Sequence, residues 1–227
     1  MKVAIHQPQY IPWLQFFYKI DRADIFINLD TVSFQKGGVQ NRNKILTNGV
    51  EAWLTVPVKH NLGQALNKVE INNESNWSKK HLSTLVQNYS KSKYFKHYLP
   101  ELEMIYSDKW MLLSDLNFYL MKKILKWLDI STPIHKSSEM NAIGSGSELI
   151  LNICKEVGAS SYLSGQGGKN YMDLKSFQAA GITVEFIEPV TCTEYQQVNN
   201  DGNFIKDLSI LDLLFNFGND WRKAIRN

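Results

Sequence analysis

The spacing of apolar residues changes along this chain, and each spacing predicts a different kind of element. Residues 2–5 and 24–30 are short apolar runs, which are typical of buried strands. Between them, Pro8 and Pro12 exclude a helix before about Trp13, and helical spacing begins after that point. Because the connection is long enough for a helical crossover, we expect the two strands to be parallel neighbours.

The next region, residues 31–75, contains short extended runs instead of long periodic segments. Runs at residues 39–45, 52–58 and 68–71 are separated by glycine-containing turns, and Asn48-Gly49 is the strongest hairpin signal among them. We therefore predict a β-rich insertion after the second strand.

Residues 76–130 follow the period of amphipathic helices, with lysines on the solvated face, so this middle segment is predicted to be helical. The last third returns to alternation, with predicted strands at residues 160–164 and 183–187. Helices are predicted at residues 149–157 and from Leu208 to about Gly218. The whole pattern predicts an α/β fold with a mostly parallel central sheet, in a single domain that spans the chain.

Two predicted helices begin with capping signals. The run Ser145-Gly146-Ser147-Glu148 matches a capping box, in which the first and fourth side chains satisfy each other's backbone N–H groups. Asp173 is a candidate N-cap for a short helix that contains Phe177.

Composition narrows the classes of function. Hydrophobic residues make up 44% of the chain, which is enough for a substantial core. The net charge is only +3 and no block of Lys or Arg is present, so no DNA partner is expected. Cys154 and Cys192 are predicted to be structural, and no HxH or HxxxH pair indicates a metal site. No run is long enough for a signal peptide or a spanning helix, so we expect a cytoplasmic protein without integral membrane contact.

A first polar cluster surrounds His6, which stands where the first strand ends. Ligand sites in open α/β sheets gather at such ends, and an imidazole there can act as general acid or base near neutral pH. The alternative is a histidine that satisfies loop carbonyls. Two prolines hold Gln7 and Tyr10 in the same loop, and Trp13 is either a packing residue or a stacking surface for a ligand.

A second cluster supplies three cations, Lys36, Arg42 and Lys44, beside the amide of Asn41. Arginine presents a fork that matches a carboxylate or phosphate, and lysine supplies a point charge. The alternative is a polar hairpin turn, because Gly and Asn are also ordinary turn residues.

A third cluster is a glycine-rich loop between a predicted strand and a predicted helix. Such a loop can offer backbone N–H groups to an anion, although this one matches neither a Walker A loop nor a dinucleotide fingerprint. The alternative is a flexible connection. The candidate residues here are Ser164, Gly165, Gly167, Gly168, Lys169 and Tyr171. We predict that all three clusters line one cleft.

The sequence resembles the WbqC-like family of bacterial proteins along nearly its whole length. The most distinctive motif is the opening one, and the others follow in the family's order. The matching segments are His6-Gln7-Pro8-x-Tyr10-x-Pro12-Trp13-Leu14, Asn41-Arg42-Asn43, Trp53-Leu54-Thr55-Val56-Pro57-Val58, Tyr94-Phe95, Ser164-Gly165-x-Gly167-Gly168-x-x-Tyr171, Tyr195-x-Gln197 and Leu208-Ser209-x-Leu211-Asp212-Leu213-Leu214-Phe215.

The resemblance implies a role in O-antigen or other surface-polysaccharide synthesis. It points to a transferase that passes an acyl or aminoacyl group to the amine of a nucleotide-linked deoxy-amino sugar. The donor would be an acyl-CoA, an ATP-activated acid or an aminoacyl-tRNA, so tRNA enters only as a donor, and no tightly bound cofactor is expected. In such a reaction His6 would act as the base, and either loop N–H groups or Asn41 would face the developing oxyanion.

Two other functions stay open at this point. The first thirty residues also resemble the start of an adenylyl- or cytidylyltransferase, with a strand, a histidine-containing loop and a second strand that ends in Asp30. Asp30 is therefore added to the candidate substrate contacts. The second histidine of that family's HxGH motif is missing here. The third possibility is a non-catalytic scaffold of the pathway.

Overall fold

A computed structural model of the chain describes residues 1–200 and 202–226. The strands, in chain order, are β1 (Lys2–His6), β2 (Ile25–Asn28), β3 (Arg42–Thr47), β4 (Val50–Thr55), β5 (Val58–Lys59), β6 (Glu70–Ile71), β7 (Ile134–Lys136), β8 (Ser161–Ser164), β9 (Thr183–Phe186), β10 (Thr191–Cys192) and β11 (Ile225–Arg226). The α-helices are α1 (Leu14–Asp21), α2 (Trp77–Tyr89), α3 (Phe95–Ser107), α4 (Leu113–Trp127), α5 (Gly146–Glu156), α6 (Leu174–Ala179) and α7 (Ile210–Asn216).

Five strands form one sheet in the order β7-β2-β1-β8-β9, and every neighbouring pair in it is parallel. The first two strands are neighbours joined by α1, with Val3 opposite Ile25 and His6 opposite Asn28, as predicted. Starting at β1, the chain first builds one side of the sheet and then returns to build the other. This is the 3-2-1-4-5 order of doubly wound sheets, so the predicted α/β fold with a mostly parallel sheet is confirmed.

The chain divides into two compact units, which we call unit 1 and unit 2. Unit 1 comprises Met1–Pro8, Gln15–Val32 and Ile130–Pro189, and it contains the five-stranded sheet. Alternate strand residues point to opposite faces of the sheet. On one face, Val3 and Ile27 belong to an apolar cluster that also contains residues of α5 and α6. On the other face, the Phe16 ring from α1 packs edge-on against Phe26 at 5.7 Å between ring centres.

Unit 2 comprises Gln9–Leu14, Ser33–Asp129 and Val190–Asn227. It contains the antiparallel hairpin β3–β4, the antiparallel pair β5–β6, the helices α2 to α4 and the chain end with α7. At the β3–β4 turn, Asn48 and Gly49 both have positive φ, 50° and 78°, which is what a two-residue hairpin turn of this type requires. The β-rich insertion and the helical middle segment are therefore present, while the single-domain organisation stays a prediction.

One of the two capping signals is confirmed. The Asp173 carboxylate accepts hydrogen bonds from the backbone N–H and the hydroxyl of Ser176, so it caps α6 as predicted. The prediction of a capping box at α5 is wrong, because Ser145 is the N-cap residue but its side chain makes no capping hydrogen bond. Its neighbour Ser147 instead accepts a hydrogen bond from the backbone N–H of Asp173, and the helix begins at Gly146.

Both cysteines are unpaired, and Cys154 is fully buried in the core of unit 1. Burial raises the pKa of Cys154 to about 12 and that of Cys192 to about 11, so neither forms a thiolate near neutral pH. In the described ranges, no group of three His, Cys, Asp or Glu side chains converges as metal ligands would. Across those same ranges, no helix has both the length and the apolar character that crossing a membrane requires.

Candidate functional site

The candidate site lies in unit 1, at the carboxyl ends of β1 and β8. These two strands pair only as far as Ala4 and Leu163, whereas β1 continues to pair with β2 up to His6 and Asn28. The strand order reverses between β1 and β8, and doubly wound sheets bind their ligands in the crevice that forms at such a point. His6 ends one of these strands and the glycine-rich loop leaves the other, so His6 and the third cluster share one sheet edge.

His6 is held in one tautomer at the end of β1. Its Nδ1 lies 3.0 Å from the carbonyl oxygen of Gln7, and its ring packs edge-on against Phe16 at 5.2 Å between centres. A carbonyl can only accept, so Nδ1 carries the proton and Nε2 presents a lone pair. Burial, with a smaller effect from the nearby Lys19 charge, lowers the pKa of His6 to about 4. The imidazole is therefore neutral at pH 7, and its role as a general acid or base stays a prediction.

Lys19 is a site residue that the sequence interpretation missed. It lies on α1, its side chain is only 4% exposed, and its Nζ donates a hydrogen bond of 2.7 Å to the carbonyl of Ile5. Burial lowers the pKa of this amine to about 7. The signal in the sequence was a lysine on the apolar stripe of a helix, between Phe16 and Ile20, where a buried charge is costly.

Asn28 was missed as well. It lies on β2 directly beside His6 in the sheet register, and it is 1% exposed. Among residues 1–200 and 202–226, neither atom of its side-chain amide has a hydrogen-bond partner. A buried polar group without a partner costs about 1–3 kcal/mol, and native proteins retain such groups mainly where they serve a function. The signal was an asparagine inside the apolar run Ile25–Asn28.

The glycine-rich loop contains glycines of two kinds. An added Cβ at Gly168 would overlap the Ser164 hydroxyl, so this glycine is required by packing. At Gly165 and Gly167 an added Cβ would meet nothing within 4 Å, and neither residue has a positive φ. Internal packing therefore explains Gly168 but leaves the other two glycines facing open space, where a ligand can approach the backbone closely.

Of the remaining candidates of this loop, two are exposed and one is buried. Lys169 lies with its Nζ 5.4 Å from the centre of the Phe186 ring, and Tyr171 is 55% exposed. Ser164 is buried, and its hydroxyl donates to the carbonyl of Gly165 over 3.0 Å. Ser164 thus shapes the start of the loop, while Lys169 and Tyr171 are accessible to a ligand.

Asp30 has a structural explanation. Its carboxylate accepts hydrogen bonds from the hydroxyl of Ser137 and from the backbone N–H and hydroxyl of Ser138, over 2.7–2.9 Å. It thereby fastens the end of β2 to the segment that follows β7. Asp30 is also buried, so its oxygens serve the fold of unit 1.

Tyr10 and Trp13 belong to unit 2. The Tyr10 hydroxyl lies 2.8 Å from Nδ1 of His81 and 2.6 Å from the hydroxyl of Tyr106, and all three side chains are buried. Nε2 of His81 donates to the carbonyl of Thr55, so the network is complete within the interior of the unit. Trp13 is 38% exposed, which leaves part of its ring accessible.

The second cluster also belongs to unit 2, on the hairpin β3–β4. The Arg42 guanidinium carbon lies 4.2 Å from the centre of the exposed Trp53 ring, and the guanidinium donates to the carbonyl of Gly37. Lys44 forms an ion pair of 2.7 Å with Glu51. These contacts stabilise the hairpin by cation–π and ionic interactions of modest strength.

The other two members of that cluster differ in exposure. Asn41 is buried, and its amide donates over 2.8 Å to the carbonyl of Val56, so this N–H group is already committed. Lys36 is exposed. Because this cluster lies in unit 2, the convergence of all three clusters on one cleft stays a prediction.

Comparison with known proteins agrees with the sequence motifs. The model of the WbqC-like protein family matches residues 7–224. A protein of Mycobacterium tuberculosis (strain ATCC 25618 / H37Rv), "Uncharacterized protein Rv1507c", is 34% identical over 220 residues, covering 96% of this chain and 94% of that protein. No solved structure matches the chain. Family match and fold together establish that the chain belongs to the WbqC-like protein family.

Proposed function

We propose that this protein is a transferase of surface-polysaccharide synthesis that acylates the amine of a nucleotide-linked deoxy-amino sugar. The observation that carries the proposal is the neutral His6 imidazole at the sheet edge, with its Nε2 lone pair fixed by the bond from Nδ1 to Gln7. The pathway and the sugar come from the family resemblance, and the proton chemistry comes from the site.

The proposed step needs one proton acceptor. The sugar amine arrives as the free base and attacks the carbonyl carbon of the donor, which forms a C–N bond and a negatively charged oxygen. The nitrogen, now positively charged, loses its proton to Nε2 of His6. The oxyanion then collapses and expels the donor's leaving group, which takes up the proton. Because the imidazole is neutral at pH 7, Nε2 is available to accept this proton, and passing it to the leaving group returns His6 to its starting form.

The nucleotide part of the substrate would lie along the glycine-rich loop. Gly165 and Gly167 leave room for a close approach of phosphate oxygens to the backbone, and Lys169 offers an exposed positive charge beside them. The loop follows β8, the strand next to β1 in the sheet, so a substrate spanning the crevice would bring its sugar towards His6. In this proposal unit 1 binds the nucleotide and positions the amine.

The test compares two histidines of unit 1. Purified protein is incubated with a panel of dTDP- and UDP-linked amino sugars and each donor class, and the acylated product is detected by mass spectrometry. His6→Ala should cut the rate about 10²–10⁴-fold while thermal unfolding stays close to wild type. His135→Ala is the matched control, because His135 is exposed on β7 and should leave the rate unchanged. Equal rates for both variants would refute the role of His6.

A second candidate function is nucleotidyl transfer from a nucleoside triphosphate. The observation that favours it is the 3-2-1-4-5 strand order with a histidine at the end of the first strand, an arrangement suited to nucleotide binding. The same mass-spectrometric assay separates the two functions. Product mass that increases only with ATP or CTP, by one nucleotidyl group, would favour this candidate. No binding of any nucleotide or nucleotide-sugar would instead favour a non-catalytic scaffold.

A further inference from the structure

We infer that Lys19 recognises an anionic group of the substrate, a phosphate of its nucleotide, at the crevice between β1 and β8. The inference rests on the proposed nucleotide-bearing substrate and adds the residue that binds its charge. From the sequence, we expected the phosphates to contact Lys36, Arg42 and Lys44, which lie in unit 2, and the Gly165–Gly168 loop, which lies in unit 1. Within unit 1, the buried cation at the crevice is Lys19.

The position of Lys19 follows from the sheet. The backbone pairing between β1 and β8 ends at Ala4. The carbonyl of the next residue, Ile5, instead accepts a hydrogen bond of 2.7 Å from Nζ of Lys19. On the β8 side, the Tyr162 ring centre lies 5.9 Å from the same nitrogen. The ammonium group thus stands between the two strands at the point where their pairing stops.

The charge of Lys19 has no counter-charge in the surrounding sheet. Glu185 on β9 is paired with Lys2, and Asp30 accepts its hydrogen bonds from serines. The titratable groups that face the amine are His6 on β1 and Tyr162 on β8. An ammonium has three donors, and in the part of the chain that the structure describes only the carbonyl of Ile5 accepts from it.

A buried cation without a partner is unfavourable until an anion arrives. A phosphate at the sheet edge would supply the missing charge when the flexible side chain turns one of its two other N–H groups outward. Asn28 supports a ligand at this edge independently, since its buried amide also lacks partners and lies beside His6. The glycine-rich loop leaves open space on the β8 side of the same edge.

Anion binding would also change the protonation of Lys19. Burial lowers the pKa of the free amine to about 7, and a bound phosphate favours the charged form. Binding should therefore take up roughly half a proton at pH 7 and nearly one at pH 8.5, because the free amine is progressively deprotonated over that range. A structural lysine that only donates to Ile5 would take up none.

The experiment is titration calorimetry with UDP-glucose in buffers of different ionisation enthalpy. Both phosphates of this probe are esterified, so they stay ionised and bring no titration of their own, and the probe carries no amine. Wild type should bind with proton uptake that increases from pH 7 to pH 8.5. Lys19→Met and Lys19→Gln should abolish the uptake and weaken binding about 10- to 100-fold.

Each variant excludes a different explanation. The glutamine of Lys19→Gln can still donate a hydrogen bond to Ile5 but carries no charge. A weaker affinity of this variant for UDP-glucose would therefore show that the charge is needed for binding. Lys155→Met, an exposed lysine of α5, is the matched control and should bind as wild type does. Tight binding without proton uptake, or full affinity in Lys19→Gln, would overturn the inference and leave the transferase proposal intact. Failure of wild type to bind UDP-glucose and every nucleotide-linked amino sugar would overturn both.

Discussion

Each unit buries a charged side chain that comes from a helix, Asp212 in unit 2 and Lys19 in unit 1. Asp212 is fully buried on α7, and its carboxylate accepts hydrogen bonds over 2.7–3.0 Å from the hydroxyls of Tyr89 and Tyr195 and from the amide of Gln197. Lys19 on α1 is almost as buried, but its ammonium makes a single hydrogen bond to a carbonyl.

We infer that the difference separates a structural charge from one that binds a ligand. Three donors converge on Asp212 and partly offset the effect of burial, which raises its pKa. A satisfied buried network of this kind fixes the positions of the segments that contribute to it. Among the described residues, the Lys19 amine donates only to the Ile5 carbonyl, and the nearby Asn28 amide has no hydrogen-bond partner. Such unused hydrogen-bonding capacity costs stability and is available to a ligand.

Removing Asp212 should have the largest effect on stability. Asp212→Ala leaves three buried donors without an acceptor, so we expect a loss of about 3–5 kcal/mol in the free energy of unfolding. For a chain of this size that is roughly a 10 °C lower unfolding temperature by calorimetry. Asp220→Ala is the control, because Asp220 pairs with Lys223 on the surface and should change stability little. Equal stability of the two variants would remove the structural role of Asp212.

The two glycine substitutions should separate packing from ligand access. Gly168→Ala forces a methyl group onto the Ser164 hydroxyl, and we expect it to destabilise unit 1 by about 1–3 kcal/mol in denaturant unfolding. Gly167→Ala meets open space, so it should unfold as wild type does and still weaken nucleotide-sugar binding. The distinction fails if Gly167→Ala binds normally or if Gly168→Ala is as stable as wild type.

Lys19→Met should change stability less than Asp212→Ala does, and in the opposite direction. It replaces a buried cation by an apolar side chain of similar length, so we expect about 1–2 kcal/mol of added stability at pH 7. The pKa of Lys19 is lower in the folded protein than in the unfolded chain, so wild type gains stability as pH increases from 7 to 10.5. The advantage of the variant should therefore shrink over that range. A destabilised Lys19→Met would mean that the lysine serves the fold.

The sequence predicted the fold better than the site. The parallel pair β1–β2, the β3–β4 hairpin and the Asp173 cap all depend on local signals, namely short apolar runs, an Asn-Gly turn and a nearby cap. The pair β10–β11 joins Thr191 to Arg226, and no local pattern indicates such a distant pairing.

The site residues that the sequence missed share a physical reason. Lys19 and Asn28 are single polar residues within apolar patterns, and a pattern does not show hydrogen-bond partners. The single bond of Lys19 and the unpartnered amide of Asn28 among the described residues became visible only in three dimensions. Tyr10 and Asn41 show the opposite case. Both carry functional groups that suit a ligand, but the fold uses those groups in internal hydrogen bonds.

The most direct test of the central claim follows the imidazole signals of the five histidines by NMR as a nucleotide-linked amino sugar is added. The signals are assigned by single substitutions of each histidine. The account predicts that the His6 signal shifts on saturation, because His6 lies at the proposed crevice, while those of His60, His81 and His97 in unit 2 stay in place. A shift at His60 or His81 with an unchanged His6 signal would contradict a substrate site at the carboxyl end of β1.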